Sequence, residues 1–264
     1  KDDFLQIQTI KYIMDGALGS RGAAMLAPYN DRQDSSGKLV QSQAFIENLI
    51  FNNVKDGWQA AIHAIGDRAN RIALKVLADE RAQSKQLRHR IEHAQIVAFN
   101  DLNKFNQFHI IASMQPTHAT SDMNMAEDRI GRERLRGAYA WQTLLKKGTK
   151  MASGSDFPVE LANPFYGLHA AVTRQDRNNQ PKQGWIAIEK MSVDQALASF
   201  TIGAAYANHQ ENQLGSLEVG KWADFIVVDQ NIFEIAAKDI WRTQVLQTWI
   251  AGKNIYTNPN TTAK

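Results

Sequence analysis

Three residues whose side chains commonly bind metal ions follow predicted strands. His63 ends an apolar strand, His93 follows Ile91 and Glu92, and Asp156 lies in a Gly-Ser-Asp turn after a third strand. Taken singly, each of these residues more often has a structural role than a role as a metal ligand. Because parallel strands of barrels and doubly wound sheets carry their sites at the carboxyl ends, the three together predict one site. Two imidazoles and a carboxylate suit zinc or a similar divalent ion.

A lysine stands among apolar residues in the first predicted strand. Side chains two positions apart share a face of a strand, so Lys11 shares its face with Ile7, Ile13 and Asp15. A buried ammonium is costly unless it is paired, neutral or modified. A structural role at a sheet edge or beside Asp15 and a functional role of Lys11 both remain open at this point.

Polar residues also follow the predicted strand at 109–114. Gln115 and His118 lie at the expected catalytic end and are candidates for substrate contact, although Pro116 is equally compatible with a simple turn. Arg174 is a candidate partner for a substrate carbonyl or carboxylate, but an exposed arginine on a helix is the favoured interpretation. Asp67 is interpreted as a helix N-cap.

Composition narrows the classes of protein. The 264 residues carry a formal net charge of +3 and no cysteine. The absence of cysteine excludes thiolate ligands, a thiol nucleophile and disulfides from this sequence. Its basic residues are scattered, which argues against nucleic acid as a partner. No apolar run approaches the ~20 residues that cross a membrane. We expect a small-molecule substrate, and a cytoplasmic location is favoured although a lost targeting signal is compatible.

Strands and helices alternate through most of the chain. Predicted strands cover 5–14, 58–63, 88–96, 109–114 and 149–153. Predicted helices cover 41–54, 67–80, 101–108, 129–147, 165–172 and 192–199, the last opened by a Ser-Val-Asp-Gln capping box, with a further turn near Ala204. This order predicts an α/β fold with a parallel sheet, for which an open sheet and part of a (β/α)8 barrel remain alternatives.

The pattern changes after Asn208. Strand and turn are predicted at 215–221, a strand at 225–228, and a hairpin from 248–250 and 254–256 around Ala251-Gly252-Lys253. We therefore divide the chain into a domain at 1–208 and a small β module with a polar tail at 209–264.

Five ordered segments together resemble the YtcJ-like branch of the amidohydrolase superfamily. The segments that carry the resemblance are Lys11-x-x-x-Asp-Gly-x-x-Gly-Ser20, His63-Ala-Ile-Gly-Asp67, Arg90-Ile-Glu-His93, Gly154-Ser-Asp156, and Gly215-x-Leu-x-x-Gly-x-x-Ala-Asp224. Each motif is weak or moderate alone, whereas their consistent order along the chain is specific.

The resemblance implies a fold and a set of roles. It implies strands four to eight of a TIM barrel, followed by strands of a flanking β-sandwich. Lys11 would be carbamylated and bridge two metals, His63 and His93 would be ligands on strands five and six, and Asp156 would bind metal and accept a proton from water. The implied cofactor is one or two divalent ions, zinc by preference, and the implied reaction is hydrolysis of a carbon–nitrogen bond in a non-peptide amide.

One family element is missing from the sequence. The superfamily begins its site with a His-x-His pair, and none occurs here. We expect that pair upstream of Lys1, which makes this chain a fragment with an incomplete ligand set that self-associates through exposed edges. A non-catalytic binding scaffold is the main alternative. Deaminases and cyclic-imide hydrolases of the same superfamily are a further one, since one barrel supports many substrates.

Overall fold

A computed structural model describes residues 5–260. Its strands are β1 (Thr9–Ile13), β2 (Gln59–Ala64), β3 (Arg90–His93), β4 (Ile111–Met114), β5 (Met151–Ser153), β6 (Phe225–Val228), β7 (Val245–Ile250) and β8 (Lys253–Thr257). Its α-helices are α1 (Gln43–Lys55), α2 (Asp67–Ala78), α3 (Leu102–Gln107), α4 (Pro116–Asp122), α5 (Ala126–Arg134), α6 (Trp141–Lys146), α7 (Pro164–Thr173), α8 (Val193–Phe200) and α9 (Ile202–Ala207).

The chain separates into two units, which we describe one at a time. Unit 1 comprises residues 1–114 and 122–151, and unit 2 comprises 115–121 and 152–264. The division predicted at residue 208 stays a prediction.

Unit 1 is organised around a parallel sheet. Five strands lie in the order β1-β2-β3-β4-β5, and the first four pair in parallel. β5 continues into unit 2 after Met151. The sheet confirms the predicted α/β class with five strands in sequence order. β2 reads as a nearly continuous buried run, as expected for a parallel strand covered on both faces.

The helices of unit 1 pack their apolar stripes against this sheet. In α1 the buried residues are Ile46, Ile50 and Val54, spaced at one helical face. The Ser42 hydroxyl accepts a hydrogen bond from the Phe45 amide at 3.3 Å and caps the helix. α1 and α2 therefore form where hydrophobic periodicity predicts them, within two residues at each end.

The predicted helix at 129–147 is wrong in its continuity. Gly131 has φ +71° and ψ +161°, which breaks α5 internally. A 3-10 turn follows at Leu135–Gly137, and the chain then becomes extended at Ala138 before α6 begins. The left-handed φ of Gly131 is open to glycine without steric cost, so the helical periodicity of the flanking residues does not carry through it.

Unit 2 contains helices and an antiparallel sheet. The capping box predicted at Ser192 and Gln195 is confirmed by both of its reciprocal hydrogen bonds. The sheet has the order β6-β7-β8, and the Phe225 and Trp249 rings stack across it at 5.4 Å. The β7–β8 hairpin confirms the predicted turn. Of the strand and turn predicted at 215–221, the turn is present and the strand is wrong, because the Lys221 amide donates to the Glu218 carbonyl three residues earlier.

Among residues 5–260, no helix combines the length and the apolar character needed to cross a lipid bilayer.

Candidate metal centre

Two of the predicted ligands meet in unit 1. His63 is the fifth residue of β2 and His93 is the last residue of β3, so both lie at the carboxyl ends of neighbouring strands. Their ring centroids are 4.6 Å apart in an edge-on arrangement with an interplanar angle of 73°. His93 is buried, and the side chain of His63 retains 17% exposure. The parallel register therefore delivers both imidazoles to one place, as the sequence predicts.

A buried carboxylate lies beside this pair. Asp15 accepts hydrogen bonds from the amides of Ala24 at 2.8 Å, Ile65 at 3.0 Å and Gly66 at 2.8 Å. Its Oδ1 is 3.5 Å from Nε2 of His63. Burial raises the pKa of Asp15 to about 6, against the opposing effect of the three amides and Arg68. Asp15 therefore fixes the loops around His63, a role that sequence alone does not assign to it.

Lys11 lies on the sheet of unit 1 on the exposed face of β1. It pairs with Ala61 of β2, and Ile13, on the same face, pairs with His63. Ile13 is 54% exposed, and Lys11 is exposed too. The face of β1 that carries Lys11 and Ile13 is therefore open to solvent, and the buried setting that the sequence suggested for Lys11 is not found. Carbamylation of Lys11 stays a prediction.

The neighbouring strand carries a charged pair on the same sheet. Glu92 pairs in register with His63, and its carboxylate accepts a hydrogen bond from Nε of Arg90 at 2.6 Å. Burial raises the pKa of Glu92, but Arg90, a hydrogen bond with Ser113 and the charge of Lys11 outweigh it and lower the pKa overall. Glu92 is therefore a carboxylate near neutral pH, next to the histidine pair.

Unit 2 places two further candidates side by side. Nε2 of His118, in α4, lies 3.8 Å from Oδ2 of Asp156. The side chain of His118 is 13% exposed and that of Asp156 is 39% exposed. The sequence predicts His118 as a substrate contact, whereas its distance from a carboxylate also makes it a candidate ligand. The sequence signal was its position four residues after the end of β4, in Gln-Pro-Thr-His, but a histidine within a helical turn does not mark the end of a strand.

The other predicted residues take different positions. Gln115 directly follows β4 and is buried, and its contact with substrate stays a prediction. The exposed position expected for Arg174 is wrong: it is fully buried at the left-handed end of α7. Its Nε donates to the carbonyl of Trp185 at 2.8 Å, so the guanidinium supports the following loop. The substrate contact of Arg174 stays a prediction.

The N-cap role of Asp67 is also wrong. Gly66 occupies the cap position, and Asp67 is the first residue of α2. The Asp67 carboxylate instead accepts a hydrogen bond from the Leu26 amide at 2.7 Å. Asp67 therefore ties a distant loop to the start of the helix.

Other histidines have structural partners that separate them from the candidate ligands. Nδ1 of His89 accepts from the Ala60 amide at 2.9 Å, and Nε2 lies 2.9 Å from the Ala82 carbonyl. Nε2 of His169 lies 3.0 Å from Oδ1 of Asn179. His89 and His169 therefore have structural hydrogen bonds, whereas the rings of His63 and His93 contact each other and His118 lies beside Asp156. Imidazole nitrogen and carboxylate oxygen fit a zinc-type divalent ion.

A polar cavity of about 180 Å³ lies within unit 2. Thr117, next to His118 in the chain, and Glu160 contribute to its wall. Arg177 also lines it and lies over the ring of Tyr166 at 4.5 Å. Such a cavity can hold a small polar group.

Comparison with known proteins gives the class. The profile of the Amidohydrolase family matches residues 1–256. The chain is 37% identical over 259 residues to Protein LONG AFTER FAR-RED 3 of Arabidopsis thaliana, covering 96% of this chain and 44% of that protein. It is 31% identical over 254 residues to the putative amidohydrolase YtcJ of Bacillus subtilis, covering 96% and 48%. An N-substituted formamide deformylase of Arthrobacter pascens is 27% identical over 222 residues, covering 82% and 40%.

Solved structures agree with the sequence relatives. An uncharacterised metal-dependent hydrolase from Pyrococcus horikoshii aligns with a TM-score of 0.77 at 29% identity, covering 88% of this chain and 46% of that one. The chain belongs to the amidohydrolase family and is YtcJ-like, as its motifs predict. The family and its structural neighbours support a hydrolase. The chain spans about half the length of the curated relatives it matches.

Proposed function

We propose that this chain carries part of a metal-dependent hydrolase that cleaves carbon–nitrogen bonds of non-peptide amides with a metal-activated water. The observation that carries the proposal is the contact between His63 and His93 at the ends of adjacent parallel strands. Membership of the amidohydrolase family supports hydrolysis. The similarity to an N-substituted formamide deformylase supports an amide-type carbon–nitrogen bond as the target.

In this proposal β1 to β5 correspond to strands four to eight of a (β/α)8 barrel, and β6 to β8 belong to a flanking β-sandwich. Lys11, as a carbamate, together with His63, His93 and Asp156 would hold one or two divalent ions, zinc by preference. A bound ion of this kind lowers the pKa of water to about 7 and polarises a carbonyl. The donor set supports this assignment, because nitrogen and oxygen ligands are what the cysteine-free sequence offers.

The chain's own residues supply the proton transfers. Asp156 is partly exposed, so its carboxylate is accessible to water and substrate. It accepts the proton of the attacking water and passes it to the leaving nitrogen. His118, whose Nε2 lies 3.8 Å from Oδ2 of Asp156, would contact the substrate beside that carboxylate. The polar cavity beside Thr117 accommodates a small substituent of the amide.

Metal analysis of the whole protein tests the proposal. We expect stoichiometric zinc or a similar ion, and we expect His63→Ala and His93→Ala to weaken binding beyond the ~10–100-fold loss typical of outer contacts. Asp156→Asn should abolish turnover on formamides or N-acyl amines while the fold persists. The matched control is His109→Asn, which removes an exposed imidazole before β4.

Three results would count against the proposal. A whole protein without stoichiometric metal excludes the metal-dependent mechanism. A protein that binds metal but hydrolyses none of a panel of formamides, N-acyl amino acids, cyclic imides and amino-pyrimidines supports a binding scaffold instead. Turnover confined to imides or amino-pyrimidines would reassign the reaction to another branch of the superfamily.

A further inference from the structure

The candidate ligand His93 has an unusual backbone. His93 has φ +74° and the next residue, Ala94, has φ +41°. Two successive residues with side chains in the left-handed region are disfavoured by contact between Cβ and the backbone. Such conformations persist where the surrounding structure holds them, and they concentrate at functional sites. We therefore expect the residues after β3 to make the contacts that hold the backbone of His93 and Ala94 in this conformation.

Main-chain hydrogen bonds anchor the segment that follows. The Tyr139 amide donates to the carbonyl of Gln95 at 2.8 Å, and the Val97 amide donates to that of Gly137 at 2.9 Å. A Cβ on Gly137 would lie 1.8 Å from the Val97 oxygen, so the two segments approach more closely than any side chain allows. The segment after His93 therefore packs closely against the segment that ends at Tyr139 and is hydrogen-bonded to it.

A side-chain network also joins these two segments. Nε2 of Gln95 donates to Oδ2 of Asp122 at 2.7 Å and to Oη of Tyr139 at 2.8 Å. The Tyr139 hydroxyl donates to the same Asp122 oxygen at 2.5 Å. Gln95 and Tyr139 are buried, and Tyr139 itself has φ +50°. We call Gln95, Asp122 and Tyr139 the Gln95 clamp; each member is bonded to the other two.

We infer that the Gln95 clamp is a positioning device that fixes the imidazole of His93 for metal binding, an inference that rests on the proposed function for its metal. Gln95 is two residues from His93, and Ala94 between them has the strained backbone. If the side chain of Gln95 loses its partners, Ala94 relaxes toward negative φ and the His93 ring turns away from His63. The clamp thus sets the geometry of a ligand without contacting the metal itself.

The test compares two tyrosine hydroxyls in the whole protein. Tyr139→Phe removes one clamp hydrogen bond to Asp122 and one from Gln95. Tyr12→Phe is the control, because its buried hydroxyl also bonds to a side-chain amide, that of Asn53 at 2.7 Å, but on β1. We expect Tyr139→Phe to weaken binding of Co²⁺ by about tenfold or more and to shift its visible absorption. Tyr12→Phe should leave both unchanged.

A second readout does not depend on metal. In metal-free protein with labelled histidine, the His93 resonance, assigned with His93→Gln, should shift or broaden in Tyr139→Phe and stay in place in Tyr12→Phe. Asp122→Asn repeats the test with a half-buried residue if Tyr139→Phe fails to fold. An unmoved His93 resonance in both clamp variants overturns the inference. A parent protein that binds no metal defeats the proposed function instead, and the resonance still decides whether the clamp positions His93.

Discussion

His89 makes a contribution to the free energy of unfolding that depends on pH. Burial lowers the pKa of His89 from 6.5 to about 4, against a smaller raising effect of its hydrogen bond to the Ala82 carbonyl. Below pH 6.5 the His89 ring therefore binds a proton in the unfolded chain, whereas in the folded protein it does so only near pH 4. Stability contributed by the neutral ring is complete above pH 6.5 and is lost as the pH falls. At pH 4.5 the loss amounts to about 2.5 kcal/mol.

Urea unfolding at pH 7.5 and pH 4.5 measures this loss. The informative variant is His89→Gln, because its amide offers an acceptor for the Ala60 amide and a donor for the Ala82 carbonyl but does not titrate in this range. The difference in free energy of unfolding between the parent protein and His89→Gln should change by about 2.5 kcal/mol between the two pH values.

Comparison with the variant removes the contributions of other groups. Asp15, whose raised pKa works in the opposite direction, contributes equally to both proteins. The control His109→Asn lacks an exposed imidazole and should follow the parent. Equal losses in parent and His89→Gln, or a His89 resonance titrating near pH 6.5, would refute the reasoning.

Two further predictions concern packing and capping. Gly137→Ala should destabilise unit 1 by ~3 kcal/mol, because the new Cβ meets the Val97 oxygen at 1.8 Å. The control Gly57→Ala, at a position with φ +84° and no atom within 4 Å of the new Cβ, should cost only ~1 kcal/mol. Equal midpoints of the two variants in chemical denaturation would contradict the steric argument. Ser192→Ala should cost ~1 kcal/mol by removing the capping-box hydroxyl, whereas Ser192→Asp should retain most of the stability, and a neutral Ser192→Ala would show that the cap contributes nothing measurable.

Much of the architecture could be predicted from the sequence. Apolar runs bounded by turn residues predict the five strands of the sheet and most of the helices, because burial patterns and helix caps depend on residues that are close together in the sequence. The histidine pair could also be predicted, because His63 and His93 lie at the carboxyl ends of their strands and the parallel register brings such ends together.

What the sequence could not show depends on partners far along the chain. Arg174 follows an apolar helix, and its burial depends on the Trp185 carbonyl in a later loop. The roles of Asp15 and Asp67 depend on amides 50 and 41 residues away. The break at Gly131 reflects one left-handed backbone angle that the helical periodicity of its neighbours conceals.

The shared carboxylate of Asp15 has a consequence for local opening. It holds amides of two loops, at Ala24 on one side and at Ile65 and Gly66 on the other. A fluctuation that frees one of these amide protons for exchange with solvent must disturb the acceptor of the others. The three protons should therefore exchange with deuterium at a common rate, and residues far apart in the chain would open as one cooperative segment.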